Sequence, residues 1–475
     1  MKRIYILITA LLPLLQACTD KFEEFNEDRK NPSAVVGESL FSNAQKELID
    51  QVSSTNVNTN VFKLWAQYWT ETTYTDEANY NIVTRNIANN TFRYYYMDAL
   101  KDLLEAETII KESEYLLDAS PKIKENKLHI LQLVKAYAFQ QLTDIFGAVP
   151  YADALNIDNV YPKYDAGNAI YKDLIEKVTA ATAGLDASFG SYGSADLYYG
   201  GNVSQWIKFG NSLKIKLGIT LADYDANLSA QTVLSGVSGG AFTSSADDAL
   251  FSYLQSSPNY NPLYADIIAS GRNDFVPANT LTDIMNTLED PRRTAFFTPF
   301  EGGYVGGKYG YAAPYNAHSH IAPAISAPDF KGILLTYSEV QFYLAEAAAR
   351  GFAVPQSAEA YYNEGIKSSF SFWGIAGAED YLNKPEVKYS AANWKERIGI
   401  QEWLSFYTRG LEGYTTWRRL DYPVLNVAEL INDYSEIPLR FTFPVNEQTL
   451  NRANYDAAAA LIGGDLLTTK IFWDK

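Results

Sequence analysis

Apolar residues recur along this chain at three- and four-residue spacing in long blocks, the period of helices that bury one face. The first block begins near Ser39 with Leu40, Phe41, Ala44 and Leu48, and the polar stretch QVSSTNVNTN separates it from VFKLWAQYW at 61–69. Residues 70–90 are rich in Asn, Thr and Tyr and read as loop. A long helix is predicted over 92–117, with a break at Pro121. Another follows over 125–146, where Leu128, Leu131, Val134, Tyr137, Ala138, Leu142 and Ile145 share one broad face. FGAVPY at 146–151 then supplies a glycine cap and a proline stop. The spacing predicts a further helix pair at 169–185 and 203–224.

Residues 226–334 differ. Gly, Ser, Pro, Asn and Tyr dominate, and turn signals such as SGG, SSPNYNP and EGGYVGG are frequent. A loop-rich stretch of this length inside a helical scaffold is usually functional or disordered, and its aromatic content argues against disorder. Helix returns at 335–374 as a hairpin. Val340, Phe342, Tyr343 and Leu344 bring bulk to its first helix, while Ala345, Ala347, Ala348 and Ala349 form a smooth face for close approach. Gly351 is placed to end that helix, Pro355 forbids its continuation, and Ser357 can cap the next. Ala358, Tyr362 and Gly365 then repeat the small–aromatic–small spacing of a tetratricopeptide unit. A lone hairpin cannot bury its apolar face, so it must stack on others. The expected fold is mainly α, a tetratricopeptide-like helix-hairpin scaffold with a loop-rich ligand-binding insertion. Its expected segments are a leader (1–17), an acidic tether (18–38), an N-terminal scaffold (39–225), the aromatic insertion (226–334) and a C-terminal hairpin with a closing segment (335–475).

Composition sharpens this picture at three points. Aromatic residues make up 14% of the chain, with 35 tyrosines and 24 phenylalanines, more than a helical core alone calls for. The net charge of −17 argues against a nucleic-acid partner, which needs clustered Lys and Arg, and against docking on anionic lipid through a basic patch. The single cysteine excludes an internal disulfide and a cysteine-based zinc site. It stands at Cys18, directly after MKRIYILITALLPLLQA, a basic start followed by an apolar run too short to span a membrane. Leu15-Gln16-Ala17-Cys18 resembles a bacterial lipobox, which implies cleavage before Cys18 and lipidation of its thiol.

Several phrases, in order, resemble the SusD/RagB family of nutrient-binding lipoproteins of the Bacteroidetes outer membrane. They are FEEFN with NPSA, FGAVPY, VSQWIKFGNSLKIKLGITLA, Asp290-Pro291-Arg292 with FFTPFEGGYVGG, and EVQFYLAEAAARG with AEAYYNEGIKSS. GIQEWLSFYTRGLEGYTTWRRLDYP, IPLRFTFPVNEQTLNRANYDAA and the terminal TTKIFWDK complete the series. The resemblance implies a protein anchored by lipid in the outer membrane and facing the cell exterior, the acidic residues behind Cys18 resembling a surface-export signal. It implies that the chain caps a SusC-like TonB-dependent transporter and delivers an oligomeric nutrient to it. The ligand is expected to be an oligosaccharide, with a peptide as the alternative.

No G-x-S-x-G, Walker, HExxH or calcium-loop pattern is present, so neither catalysis nor a cofactor is expected. His318-Ser319-His320 offers two imidazoles but no third ligand by spacing, and no metal site is assigned. A surface glycoside hydrolase would need an acidic pair in the pocket, and a purely structural scaffold would have little use for the aromatic insertion. Ligand contacts are expected from two aromatic clusters, since sugar rings stack on Trp and Tyr while their hydroxyls seek Asn and Arg. One is Trp65, Trp69, Tyr74 and Tyr80 with Asn79 and Arg85. The other is Tyr304, Tyr309, Tyr311 and Tyr315 with His318. The i, i+4 spacing of Trp65 and Trp69 serves a packed core equally well.

Overall fold

A computed structural model describes residues 35–113, 120–428 and 436–475. The leader, Cys18 and the tether through residue 34 lie outside the described residues.

Helices form where the apolar period places them and pack chiefly against neighbours in sequence. After α1 (Gly37–Ser53) comes the single turn α2 (Phe62–Trp65), then strand β1 (Trp69–Glu71). The expected long helix begins earlier, as α3 (Ile87–Arg93), and runs through a π turn at Tyr94–Leu100 into α4 (Lys101–Glu112). Next is α5 (Ser120–Phe146), which starts ahead of Pro121 because a first-turn proline forgoes no helical hydrogen bond. At its end Gly147 takes φ +81°, and a Cβ there would come within 2.9 Å of the Ile471 side chain. The strands β2 (Ala148–Pro150) and β3 (Tyr164–Ala166) pair antiparallel before α6 (Gly167–Gly184) and α7 (Val203–Thr220).

The insertion expected at 226–334 opens with a scaffold helix, α8 (Ala226–Ser238), packed tightly on α7. Its buried face is Ser229, Thr232, Val233 and Gly236, small and partly polar residues that carry the helical period without the usual apolar signature. Beyond it lie the short strands β4 (Ala249–Phe251) and β5 (Phe275–Pro277), helix α9 (Asn279–Thr287), and strands β6 (Phe297–Thr298), β7 (His320–Ile321) and β8 (Gly332–Leu335). The antiparallel pairs are β1 with β5, β4 with β8 and β6 with β7.

The expected hairpin is α10 (Tyr337–Ala349) and α11 (Ala358–Phe372). Gly351 is left-handed at φ +85°, and the Ser357 side chain accepts from the Ala360 N–H at 3.2 Å. Gly365 lies where a Cβ would meet the Phe342 ring at 3.0 Å, which explains the small residue in that spacing. Then come α12 (Trp394–Ser405), α13 (Gly410–Leu420) and α14 (Arg452–Leu461). The proline-rich stretch at 437–444, which reads as strand-like, takes no strand partner among the described residues. Its Arg440 is buried and pairs with Asp465 at 2.8 Å.

The core of the scaffold is charged. Glu339 of α10 meets Arg409 at 2.5 Å and Lys216 of α7 at 3.2 Å, and Lys216 also reaches Glu412 of α13 at 2.6 Å. The Tyr343 hydroxyl donates to Glu339 at 2.7 Å, and Gln141 of α5 donates to Glu412 at 2.9 Å. Two helical turns away, Arg419 pairs with Glu346 and with Glu402 of α12. Burial pushes the Glu339 carboxyl up, but Arg409 and Lys216 more than reverse this and hold it below the usual carboxylate range. Glu339 and Glu346, seven residues apart on one helix face, thus bind neighbouring helices, as their spacing implies.

Removing one partner from such a group leaves a buried charge uncompensated, which typically costs about 3–5 kcal/mol. Arg409→Leu is therefore expected to lower the unfolding free energy by about that amount in urea titration. Arg452→Ala, at the exposed pair with Asp456, should leave it nearly unchanged in the same titration.

Candidate functional site

The two aromatic clusters singled out in the sequence are brought into contact by the fold. β1 pairs with β5 from Trp69 opposite Pro277 to Glu71 opposite Phe275, and Thr72 extends the ladder to Asp274 O at 2.9 Å. The segment after residue 303 lies along the same strands. Gly307 N–H donates to Pro277 O at 2.8 Å, and Ala313 N–H donates to Glu71 O at 3.0 Å. Asn79 donates to Gly310 O at 2.8 Å, and the Tyr80 and Tyr309 rings stand 6.4 Å apart.

Burial then divides the candidates. Trp65, Trp69, Tyr80 and Tyr309 are at most 2% exposed and have no ring face to offer a ligand, which corrects the expectation that they form a platform. The Trp65 indole donates to Glu77 O at 3.2 Å and is enclosed by Phe62, Tyr414 and Phe441. The Trp69 indole donates to the Tyr407 hydroxyl at 3.0 Å. These four rings are the footing of the loops, since aromatics of this size stabilise most when fully removed from water.

The remaining candidates are exposed or half-buried. Tyr74 is 64% exposed on the loop 72–86. With Arg85 it lines a shallow groove completed by Thr72, Thr73, Arg272 and Asp274. Arg272 and Asp274, paired at 2.7 Å, were not singled out by sequence reasoning; the visible signal was a charged triplet, Arg-Asn-Asp, inside a loop otherwise poor in charge. Tyr311 is half-buried, with the Lys308 ammonium 4.1 Å from its ring centre. Tyr304, Tyr315 and His318 form a second neighbourhood, held by the reciprocal Val305–Ser319 hydrogen bonds. There Tyr315 stacks on His320 at 3.8 Å, the Arg293 guanidinium covers Tyr304 at 5.3 Å, and His318 Nδ1 contacts Pro314 O at 2.8 Å. No direct contact links this neighbourhood to Tyr74 and Arg85.

Under the groove the loop rests on two carboxyl groups. Glu71 accepts from the Ala78 N–H at 3.0 Å, and Glu77 is paired with Arg85. Burial and a hydrogen bond to the Glu77 carboxyl push Glu71 up to about 9, so Glu71 keeps its proton at neutral pH. An exposed ring at Tyr74, guanidinium donors and carboxylate acceptors around the groove, with further half-buried tyrosines nearby in the loops, suit a polyhydroxylated or peptidic ligand.

The family model described as "SusD-like_2: Starch-binding associating with outer membrane" matches residues 29–444. The chain belongs to the SusD-like family. Among solved structures, a chitin-binding protein is 25% identical, with 92% of this chain and 100% of that one covered and a TM-score of 0.81. A SusD homologue from Bacteroides uniformis is 23% identical, with 92% and 99% covered and a TM-score of 0.80. A SusD-like protein from the Bacteroidetes is 20% identical, with 93% and 100% covered and a TM-score of 0.80. Comparison with curated proteins by sequence gives no match. As a SusD-like protein the chain is a non-catalytic nutrient-binding protein associated with the outer membrane, and its family works with SusC transporters. Among the described residues no helix is long and apolar enough to cross a membrane.

The proton held by Glu71 makes folding stability pH-dependent. Glu71 keeps its proton to about pH 9 when folded but loses it near 4.5 when unfolded, so folding is favoured fully below that lower value and progressively less as pH rises through 9. Thermal melts between about pH 5 and pH 9 should show the wild type losing stability relative to Glu71→Gln as pH rises. Parallel curves would exclude a protonated Glu71.

Proposed function

We propose that this SusD-like protein is a cell-surface lipoprotein, anchored through Cys18, that captures an oligosaccharide and delivers it to a TonB-dependent SusC-like transporter. The observation that carries the glycan reading is the set of exposed or half-buried tyrosines, Tyr74, Tyr304, Tyr311 and Tyr315, on loops braced by a buried aromatic footing. Asn79, Arg85 and His318 stand beside them as polar partners. The family's starch-binding description and the chitin-binding relative support the same ligand class. The helical hairpins, which we read as tetratricopeptide-type units, supply the rigid face that a barrel rim can hold. A peptide ligand is the second reading, favoured by the charged groove at Arg85, Arg272 and Asp274, where peptide termini and side chains find counter-charges.

Calorimetry with maltoheptaose, chitohexaose and a defined oligopeptide mixture tests this. A glycan should bind saturably and the peptides should not; the reverse result makes the protein a peptide binder. Tyr311→Ala and Tyr315→Ala should each weaken glycan binding roughly tenfold, about 1–2 kcal/mol, with melting temperature nearly unchanged. Tyr309→Ala should unfold the protein at lower temperature, because its ring is core. Cys18→Ala should release the protein from the membrane fraction and abolish lipid labelling.

A further inference from the structure

On the scaffold, away from the loops just described, a cavity of about 220 Å³ opens between α4, α5 and the chain after β2. Its floor is apolar, formed by Leu100, Leu104, Phe139 and Leu155. Three features mark it as built for a ligand. First, the π turn ends at Leu100 on its wall, and such turns recur at functional sites. Second, Leu155 is held at φ +58°, a conformation costly for a bulky residue, and its side chain there closes one side of the cavity. Third, two polar groups with spare capacity stand on the wall. The Gln132 amide makes no hydrogen bond among the described residues, and Lys135 reaches Glu107 at 2.7 Å with one of its three donors. Glu107 is shared with Lys111 at 2.6 Å, so this side keeps an excess positive charge.

The cavity does not suit a sugar. The aromatic ring at its mouth, Tyr151, meets Phe139 edge-on at 4.7 Å and carries the Lys177 ammonium over its face at 4.7 Å, and the floor beyond it is largely aliphatic, with few partners for sugar hydroxyls. Its size also favours a compact apolar body, since an apolar cavity of about 150 Å³ already accepts benzene. We propose that this cavity binds the carboxylate-bearing end of a small apolar ligand, an aromatic or branched-chain acid, with the hydrocarbon on Leu100, Leu104 and Phe139 and the carboxylate on Lys135 and Gln132. The site is separate from the glycan-binding loops and does not depend on their assignment.

The free acid and the C-terminal residue of a peptide share this chemistry. The probes are 3-phenylpropionate, its uncharged counterpart 3-phenylpropanol, and the tripeptide Gly-Gly-Phe, each titrated into the full-length protein by calorimetry. The acid should bind saturably and more tightly than the alcohol, and Lys135→Met should weaken the acid roughly tenfold while leaving the alcohol unchanged. Ala154→Trp, which fills the mouth, should abolish binding of both. Tighter binding of the tripeptide than of the free acid, with the same response to Lys135→Met, assigns the site to peptide ends; the opposite order assigns it to free acids. The proposal is overturned if neither acid nor tripeptide saturates, or if acid and alcohol bind alike in wild type and in Lys135→Met. Melting curves on both variants separate loss of the site from loss of the fold, and if Ala154→Trp does not fold, the acid–alcohol comparison in Lys135→Met still decides.

Discussion

The constraint on which the rest of the structure depends is the compensation of charge inside the scaffold. Glu339, Glu402 and Glu412 lie with Lys216 and Arg409 in an interior where none of them is more than 5% exposed. An isolated charge in that environment is strongly disfavoured, and each carboxylate is answered by a base or a hydroxyl from a different helix. Glu402 shows what partial compensation does. Burial drives its carboxyl well above the usual range, and it survives there by accepting from Thr416 at 2.8 Å and pairing with Arg419. Helices α5, α7, α10, α12 and α13 must therefore be in place together, because each completes the environment of a charge carried by another.

Similar devices fix the periphery to this centre. Arg292 is wholly buried, bonded to Asp290 at 2.6 Å and to Gln401 of α12 at 2.7 Å, so the Asp290-Pro291-Arg292 phrase is a structural clasp between the loop-rich region and the scaffold. Asp144 at the end of α5 accepts from Tyr171 at 2.6 Å and from the Trp473 indole at 2.9 Å, which ties the C-terminus to the middle of the chain.

The tyrosine-bearing loops inherit this rigidity through aromatic packing. The Tyr68 hydroxyl donates to Trp403 O at 2.6 Å, and the Trp403 indole returns a hydrogen bond to Ala66 O at 3.0 Å, locking the approach to β1 onto α12. Loop 72–86 thus leaves from a fixed base, and Tyr80 with Tyr309 fastens it to the tyrosine-bearing segment across from it. Rings of one chemical type do two jobs here. Those that reach the base hold the loops in place, and those left at the rim stay at least partly exposed.

The sequence alone determined the local elements, and it did so where the code is local. The hairpin at 335–374 was legible because Gly351, Pro355 and Ser357 act on their immediate neighbours, and the family was legible because its phrases run in order along the chain. Helix α8 was missed as part of the scaffold because its buried face is built of small and polar residues. Which tyrosines and tryptophans meet solvent was decided only in three dimensions. Trp65 and Trp69 show the same i, i+4 spacing whether that face is wet or dry, and the answer lies with Tyr407, Tyr414 and Phe441, far along the chain. The pairing of β1 with β5 is likewise set by long-range packing, since strands of three residues carry too little pattern to specify a partner. Burial is a property of what arrives from elsewhere, so composition can supply the rings, while tertiary contact alone assigns each one its face.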